Sequence, residues 1–351
     1  VRGRPRRPLT LGALVAELRR TVIDPEASPA LREAAAVRLA RLADASDDEG
    51  VALVPGADPQ RWWGMHALTQ ASAPLVPDGQ PVVISPSTLN ALLRCPRQWF
   101  CSRRASGEAG RSSAAGTGSV MHALLEHAES TDPDILREHL DAVWDRLRFE
   151  APYLSVVERE KAEAALGRFT AWAAERSGRR LGAEVPFSVE VEVAGQPVRL
   201  QGKVDRLEQE PDGALRVVDY KTGSSVPDRR DIPGHEQLGV YQLAAAAGAF
   251  DDLSGGERRV AGAELVYLQK PDRDDWPTVR IQESLDRAPH LPPDDPWAAQ
   301  DSDAHPTWVH SKLAHAAALI RDENFPATPG PGCRTCAFAS NCPAQGTEVV
   351  R

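Results

Sequence analysis

Several features that would define a class of protein are missing from this 351-residue chain. No apolar run approaches the roughly 18 residues of a membrane span, and the opening residues VRGRPRRPLTL lack the apolar core of a signal peptide. The sequence has no internal repeat and no G-x-x-x-x-G-K-[ST] loop, which excludes this way of cradling ATP. We therefore expect a cytoplasmic protein without a membrane partner, whose chain is a piece of a longer one.

The chain also lacks a net positive charge and has few aromatic side chains. A formal net charge of −9 argues against a protein that coats nucleic acid indiscriminately, although it leaves room for a local basic groove. With 26% charged and 5% aromatic residues, the composition is typical of a soluble, helix-rich globular protein. The length allows two domains, or one large domain with appendages.

The chain changes from a helical to a strand-rich pattern near its middle. A serine cap followed by a proline predicts a helix that begins at Ser85-Pro86. From Val185, alternating apolar residues predict a meander of three strands, with a Pro-Asp-Gly turn before the third. The remaining predicted elements are helical stretches over 9–45, 120–130, 134–178, 234–250 and 306–324, and a strand over 261–270.

Asp219 and Lys221 lie two residues apart at the end of the third predicted strand, so their side chains share one face. Asp205 lies on the strand before, in GKVDRLE. Carboxylates that meet across neighbouring strands repel each other unless a divalent cation lies between them, and oxygen ligands suit Mg²⁺ or Mn²⁺. With a lysine alongside, these groups favour metal-assisted phosphodiester hydrolysis. Asp-x-Lys alone is more often a surface salt bridge, and it is Asp205 on the preceding strand that favours the metal site.

Three of the five cysteines lie close together, in CRTCAFASNC. Cys333, Cys336 and Cys342 are one thiol short of a tetrahedral site, and either Cys95 or Cys101 could supply the fourth. In a reducing cytosol, metal binding is expected over disulfides. The residues themselves leave both zinc and an iron–sulfur cluster open.

Three segments in this order, GKVDRLE, VVDYKTG and QLGVYQLA, resemble the motifs of RecB-type members of the PD-(D/E)XK nuclease superfamily. The resemblance implies that Asp205 and Asp219 bind the metal and that Lys221 is the catalytic lysine. It further implies that Gln237 and Tyr241, four residues apart and hence on one helix face, lie beside the site.

A second part of the resemblance concerns a histidine ahead of the strands. GSVMH matches a G-x-x-x-H segment of the family, which makes His122 a further metal ligand. Glu126, one helical turn later, is a candidate partner of that histidine, although an exposed glutamate is the more common case. Glu184 resembles an acidic position that precedes the first strand in relatives, and its role is left unassigned.

The cysteine pattern resembles that of AddAB- and AdnAB-type helicase–nucleases. These carry one cysteine before the nuclease core and three after it, ending in C-x₂-C-x₅-C, and the four hold a [4Fe–4S] cluster. SPSTLNALLRCPRQWF matches their upstream segment, so the resemblance implies Cys95, Cys333, Cys336 and Cys342 as the cluster ligands, with Cys101 left over. Such a cluster would staple the two ends of the domain together.

The expectation for the fold is an α/β, restriction-endonuclease-like PD-(D/E)XK core, a mixed sheet flanked by helices, with an iron–sulfur staple. Residues 81–345 would form the nuclease domain, residues 1–80 a helical remnant or linker from a preceding helicase domain, and residues 346–351 a tail. No single segment carries this division on its own; it follows from the order of the motifs.

The expected function is that of a divalent-metal-dependent deoxyribonuclease, using Mg²⁺ or Mn²⁺. In the family context it would cut single-stranded DNA delivered by an ATP-driven motor during double-strand break processing. Its partners would be DNA ends, a helicase motor and a second subunit of a heterodimer, close to the nucleoid. The alternatives are a DNA-binding iron–sulfur scaffold with a vestigial nuclease site, and a stand-alone RecB-like exonuclease.

Overall fold

The chain divides into two compact units, Val1–Ser72 and Ala73–Arg351. The computed structural model describes residues 10–47, 50–62, 73–105, 132–144, 147, 149, 152–223, 225–286, 307–339 and 342–345. Within these ranges, no helix combines the length and the apolar character that crossing a bilayer requires.

The first unit contains two helices, α1 (Leu11–Ile23) and α2 (Pro29–Ala43). The predicted helical stretch is interrupted because Ser28 and Pro29 start a new helix: the Ser28 hydroxyl accepts a hydrogen bond from the amide of the third helical residue, and proline fits the first turn. A small apolar core joins the two helices with the segment after them, through Val15, Leu18, Ala35, Leu39, Val54, Ala57 and Trp62.

The second unit is a mixed sheet with helices on both faces. Its strands among the described residues are β1 (Val82–Ile84), β2 (Arg179–Val193), β3 (Gln196–Gln209), β4 (Leu215–Lys221), β5 (Val260–Pro271) and β6 (Pro277–Glu283). Its helices there are α3 (Pro86–Arg94), α4 (Pro96–Arg103), α5 (Pro133–Trp144), α6 (Pro152–Ala174), α7 (Glu236–Ala246), α8 (Asp251–Ser254) and α9 (Trp308–Arg321). The expected α/β class, with a mixed sheet flanked by helices, is confirmed.

The sheet follows the order β1-β3-β4-β5-β6. β2 pairs along the whole of one edge of β3, and β1 and β4 pair with different parts of the opposite edge. The β2–β3 hairpin is antiparallel and turns at Ala194-Gly195, both with positive φ, as a two-residue hairpin loop requires. β3 is antiparallel to β4, and β4 is parallel to β5, the strand that follows a helical crossover. β5 and β6 close the sheet as an antiparallel pair.

Alternation along β4 assigns its side chains to two separate cores. Leu215 and Val217 pack with α3, α4, α7 and α9 on one face. Val218 and Tyr220 pack with α5 and α6 on the other. Asp219 and Lys221 continue the first series, so they project toward the face that α7 covers.

One strand boundary and two whole strands differ from expectation. β2 begins at Arg179, six residues before the predicted start at Val185, because the residues between them pair with β3 across an irregular stretch. The short β1 and the edge strand β6 were not predicted. β1 has only three residues and runs directly into the Ser85 helix cap, while β6 begins at Pro277, which suits an edge strand.

Candidate active site

Asp219 and Lys221 form a close ion pair at the carboxyl end of β4. Lys221 Nζ lies 2.6 Å from Asp219 Oδ2. The Asp219 side chain is buried, while that of Lys221 is partly exposed. Oδ2 makes no hydrogen bond of good geometry among the described residues, so its contact with the lysine is an ion pair.

Asp205 reaches the same place from β3. The regular β3–β4 ladder ends at the pair Arg206–Val218. Beyond it, the Asp205 carboxylate takes the position of a strand partner and accepts a hydrogen bond from the Tyr220 amide at 2.6 Å. This bond holds the carboxylate next to the backbone that connects Asp219 and Lys221.

Helix α7 supplies two polar groups that complete the cluster. Gln237 Nε2 donates to Asp219 Oδ1 (2.7 Å), and its Oε1 accepts from Lys221 Nζ (2.9 Å). The Tyr241 hydroxyl donates to Asp219 Oδ1 at 3.1 Å and accepts from Gln237 Nε2 at 2.8 Å. The expected spacing of one helical turn therefore brings both side chains onto Asp219.

Burial and like charge combine on Asp205. The pKa of its carboxyl is raised to about 8, first by burial and then by the charges of Asp219 and Glu184, against the lowering effect of the Tyr220 amide and Lys221. Burial and the Asp219 charge also raise the pKa of Tyr241, which keeps its hydroxyl protonated and a donor. Without a cation, the Asp205 carboxyl therefore keeps a proton at neutral pH, and Lys221 pairs with Asp219.

Glu184 is a residue whose place beside Asp205 the sequence did not reveal. It lies inside β2, between the paired residues Ala183 and Val185, which face Arg206 and Val204 on β3. Its φ of 48° is unusual for a residue with a side chain. Its carboxylate is 2.5 Å from Lys203 Nζ. The alternation of apolar and polar residues does not reveal a left-handed backbone conformation inside a strand. The sequence pattern therefore did not indicate where Glu184 lies.

His122 and Glu126 lie outside the described residues, so the structure says nothing of their positions. Among the residues that are described, no three His, Cys, Asp or Glu side chains are grouped as a ready-made metal site. The donor set around Asp219 nevertheless fits a divalent cation. Asp219 Oδ2 is buried with the Lys221 amine as its ionic partner, and the pKa of the neighbouring Asp205 carboxyl is raised by burial and like charge, so both acids are oxygen ligands that a cation would stabilise.

Four cysteines border one cavity at the margin of the domain. Cys95, between α3 and α4, lines it together with Cys333, Cys336 and Cys342, and the cavity has a volume of about 300 Å³. Cys101, on α4, is not among the lining residues. No disulfide joins any of the five.

Backbone amides point at two of these sulfurs. The Thr328 amide donates to Cys95 Sγ at 3.5 Å, and the Gly330 amide donates to Cys333 Sγ at 3.3 Å. Amide hydrogen bonds to sulfur are the contacts that stabilise thiolates in metal sites. The set of four thiols therefore fits a cluster or a zinc ion chemically, although the sulfurs are not grouped as a metal site as they stand.

The sequence profile of the PD-(D/E)XK nuclease superfamily matches residues 83–343, about three quarters of the chain. The chain belongs to the PD-(D/E)XK nuclease superfamily. Members of this superfamily are typically divalent-metal-dependent nucleases. In this PD-(D/E)XK chain Asp219 and Lys221 have the D-x-K spacing, and Asp205 lies on the preceding strand.

Other comparisons add little. No curated protein matches this PD-(D/E)XK chain. Among solved structures, SSO0001 is similar to it, at 16% sequence identity and a TM-score of 0.36, over 75% of this chain and 86% of that one. A similarity this remote carries no inference about activity.

Proposed function

We propose that this chain is a divalent-metal-dependent deoxyribonuclease that hydrolyses phosphodiester bonds in single-stranded DNA. The observation that carries the proposal is the position of Asp205 beside Asp219. The pKa of Asp205 is raised to about 8, and Lys221 is the neighbouring amine. When bound, Mg²⁺ or Mn²⁺ would polarise the phosphate and supply Lewis-acid activation of water. Superfamily membership supports the same chemistry.

Each residue of the cluster has a distinct task in this proposal. Asp205 and Asp219 hold the cation through carboxylate oxygens, and the resemblance adds His122 as a third ligand. Lys221 orients the attacking water and balances charge that develops on the phosphate. Gln237 keeps the lysine amine and the Asp219 carboxylate at a fixed separation, because its amide bonds both.

The direct experiment is cleavage of end-labelled single-stranded DNA by the purified chain. Cleavage is expected with Mg²⁺ or Mn²⁺ and is expected to stop with EDTA. Asp219→Ala should abolish cutting while leaving the fold and any bound iron unchanged. Normal cleavage by that variant would overturn the assignment of Asp219, and no cleavage by the wild-type chain in any metal would favour the DNA-binding scaffold.

The four-cysteine cavity supports a [4Fe–4S] cluster as a second, structural cofactor. Thiols at Cys95, Cys333, Cys336 and Cys342 surround a space of about 300 Å³, and amides donate to two of them. The cluster would cross-link segments more than two hundred residues apart in sequence, which stabilises a fold by restricting the unfolded chain. A brown protein that contains iron supports this assignment, and a colourless protein that contains zinc contradicts it.

The cellular role that we propose is nuclease action within a helicase–nuclease that processes DNA double-strand breaks. It rests on the resemblance of the motifs to RecB-type modules of AddAB- and AdnAB-type enzymes, with a motor domain and a second subunit as partners. A stand-alone RecB-like exonuclease is the competing possibility. Stimulation of cleavage by ATP and a motor subunit separates the two, because a stand-alone enzyme needs neither.

A further inference from the structure

The turn that leads into α7, residues Ile232–His235, is held by buried side chains from two distant elements. We name it the entry turn. It is immediately followed by Glu236 and Gln237, the first residues of the helix. Any shift of this turn moves Gln237, and with it the hydrogen bonds to Asp219 and Lys221.

The first of these side chains is Lys312 on α9. Its side chain is only 5% exposed, and Nζ donates to the Gly234 carbonyl oxygen (3.1 Å) and to Glu236 Oε1 (2.9 Å). The amine also lies 4.9 Å from the centre of the Trp308 ring. Burial of an ammonium group is costly unless it is paired and hydrogen-bonded. Lys312 finds these partners in the entry turn and in the first residue of α7.

The second side chain is Gln282 on β6, which is 1% exposed. Its Nε2 lies within hydrogen-bond distance of three carbonyl oxygens of the entry turn, those of Ile232 (2.8 Å), Pro233 (3.2 Å) and His235 (3.2 Å). Its Oε1 accepts from Gln242 Nε2, one of the buried residues of α7, at 2.9 Å. Gln282 thus fastens both the entry turn and the helix itself to β6.

Close packing makes this arrangement rigid. Gly239, on α7, lies so near α9 that a Cβ there would come within 2.6 Å of the Trp308 ring and 2.7 Å of Val309. The helices are therefore in contact through backbone on one side. Packing against α9 buries the apolar surface of α7 but does not define where the helix begins. The polar contacts of Lys312 and Gln282 fix the position of its first turn.

We propose that Lys312 and Gln282 are positioning residues that hold the entry turn, and that through Gln237 they set the contact between Lys221 and Asp219. The proposal rests on the nuclease function proposed above. Neither residue makes a described contact with Asp205, Asp219 or Lys221, so both act through the start of α7. A displacement of about 1 Å in a catalytic group is enough to slow a reaction by about a hundredfold.

Lys312→Met tests the proposal, since methionine keeps the buried volume and removes the amine. The matched control is Ile320→Ala, on the same helix and 2% exposed, which loses core packing but removes no hydrogen bond to the entry turn. Hydrogen exchange of peptides that cover residues 232–241 should become at least about tenfold faster in Lys312→Met, and Ile320→Ala should not show this local change. Unchanged exchange in Lys312→Met would overturn the proposal, whatever the activity.

Kinetics give a second readout. Lys312→Met should lower kcat for single-stranded DNA about tenfold to a hundredfold with KM within about twofold, and Lys312→Met combined with Gln237→Ala should be no slower than Gln237→Ala alone. Independent, multiplying losses in the double variant would contradict action through Gln237.

If wild type cuts no DNA, the nuclease proposal fails, while hydrogen exchange still decides the positioning role. Gln282→Met replaces Lys312→Met in both measurements if the latter does not fold.

Discussion

The carboxylate of Asp205 accepts a hydrogen bond of 2.6 Å from the backbone amide of Tyr220, at the point where the ladder between β3 and β4 has ended. This bond places a second acid beside Asp219 without any regular strand pairing at that position. It also fixes the backbone on which Asp219 and Lys221 are carried. Asp205 and Asp219 come together because the pairing of β3 with β4 stops just before these residues.

Stability of the metal-free protein should depend on pH through Asp205. The folded-state pKa of about 8 lies above the ordinary value of 3.8, so between these values the folded protein keeps a proton that the unfolded chain releases. The unfolding free energy should therefore fall as pH rises from about 6 to 8, by at most about 1.4 kcal/mol per pH unit. Denaturant unfolding in EDTA at a series of pH values measures the slope.

Asp205→Asn is the control for this dependence. The amide does not titrate, so the variant should lose most of the fall in stability between pH 6 and 8. An equal slope in wild type and variant would show that another group carries the pH dependence.

Replacement of Lys221 should separate cation binding from cleavage. Lys221→Met removes the positive charge beside Asp219, so we expect Mn²⁺ to bind at least as tightly as in wild type, because repulsion of the cation is lost. Cleavage should fall by about a hundredfold to ten-thousandfold, the range of a lost proton-transfer group. Calorimetric titration with Mn²⁺ and single-turnover cleavage measure the two effects; parallel loss of both would assign the lysine a structural role.

Gln237 and Tyr241 should contribute unequally. Gln237→Ala breaks hydrogen bonds to both Asp219 and Lys221 and should slow cleavage about tenfold to a hundredfold. Tyr241→Phe removes one bond to Asp219 but keeps the edge contact with Phe187, so the loss should stay below about tenfold. Single-turnover rates at saturating Mg²⁺ rank the two, and a larger effect of Tyr241→Phe would reverse this assignment.

The cysteine cavity predicts a sharp difference between two neighbouring thiols. Cys95→Ser should lose the visible absorption and the iron, and should lower Tm, whereas Cys101→Ser should keep all three, because only Cys95 lines the cavity. Iron analysis and absorption spectra of both purified variants provide the measurement. Loss of iron in Cys101→Ser with retention in Cys95→Ser would exchange their roles.

Local periodicity accounts for the part of the site that the sequence predicted. The i, i+2 spacing of Asp219 and Lys221 and the i, i+4 spacing of Gln237 and Tyr241 each fix a shared face once the strand and the helix are recognised. The cap at Ser85 was readable for the same reason, since serine, proline and the first amides interact within one turn. Such signals need no knowledge of the rest of the chain.

Contacts between distant elements were beyond reach of the sequence. Lys312 meets Glu236 across 76 residues, and nothing in the α9 pattern distinguishes this lysine from an exposed one. Glu184 itself has a left-handed backbone conformation inside β2, which alternation cannot indicate. The meeting of Asp205 with Asp219 was predicted because their strands are adjacent in sequence, whereas the hydrogen bond from the Tyr220 amide depends on where the ladder stops.

The most direct measurement is the anomalous scattering of Mn²⁺ in a crystal of this protein. A cation held by the two acids predicts a strong peak between the carboxylates of Asp205 and Asp219, which disappears in Asp219→Asn while the rest of the structure is retained. A peak elsewhere, or a site that is unchanged in the variant, would contradict the account.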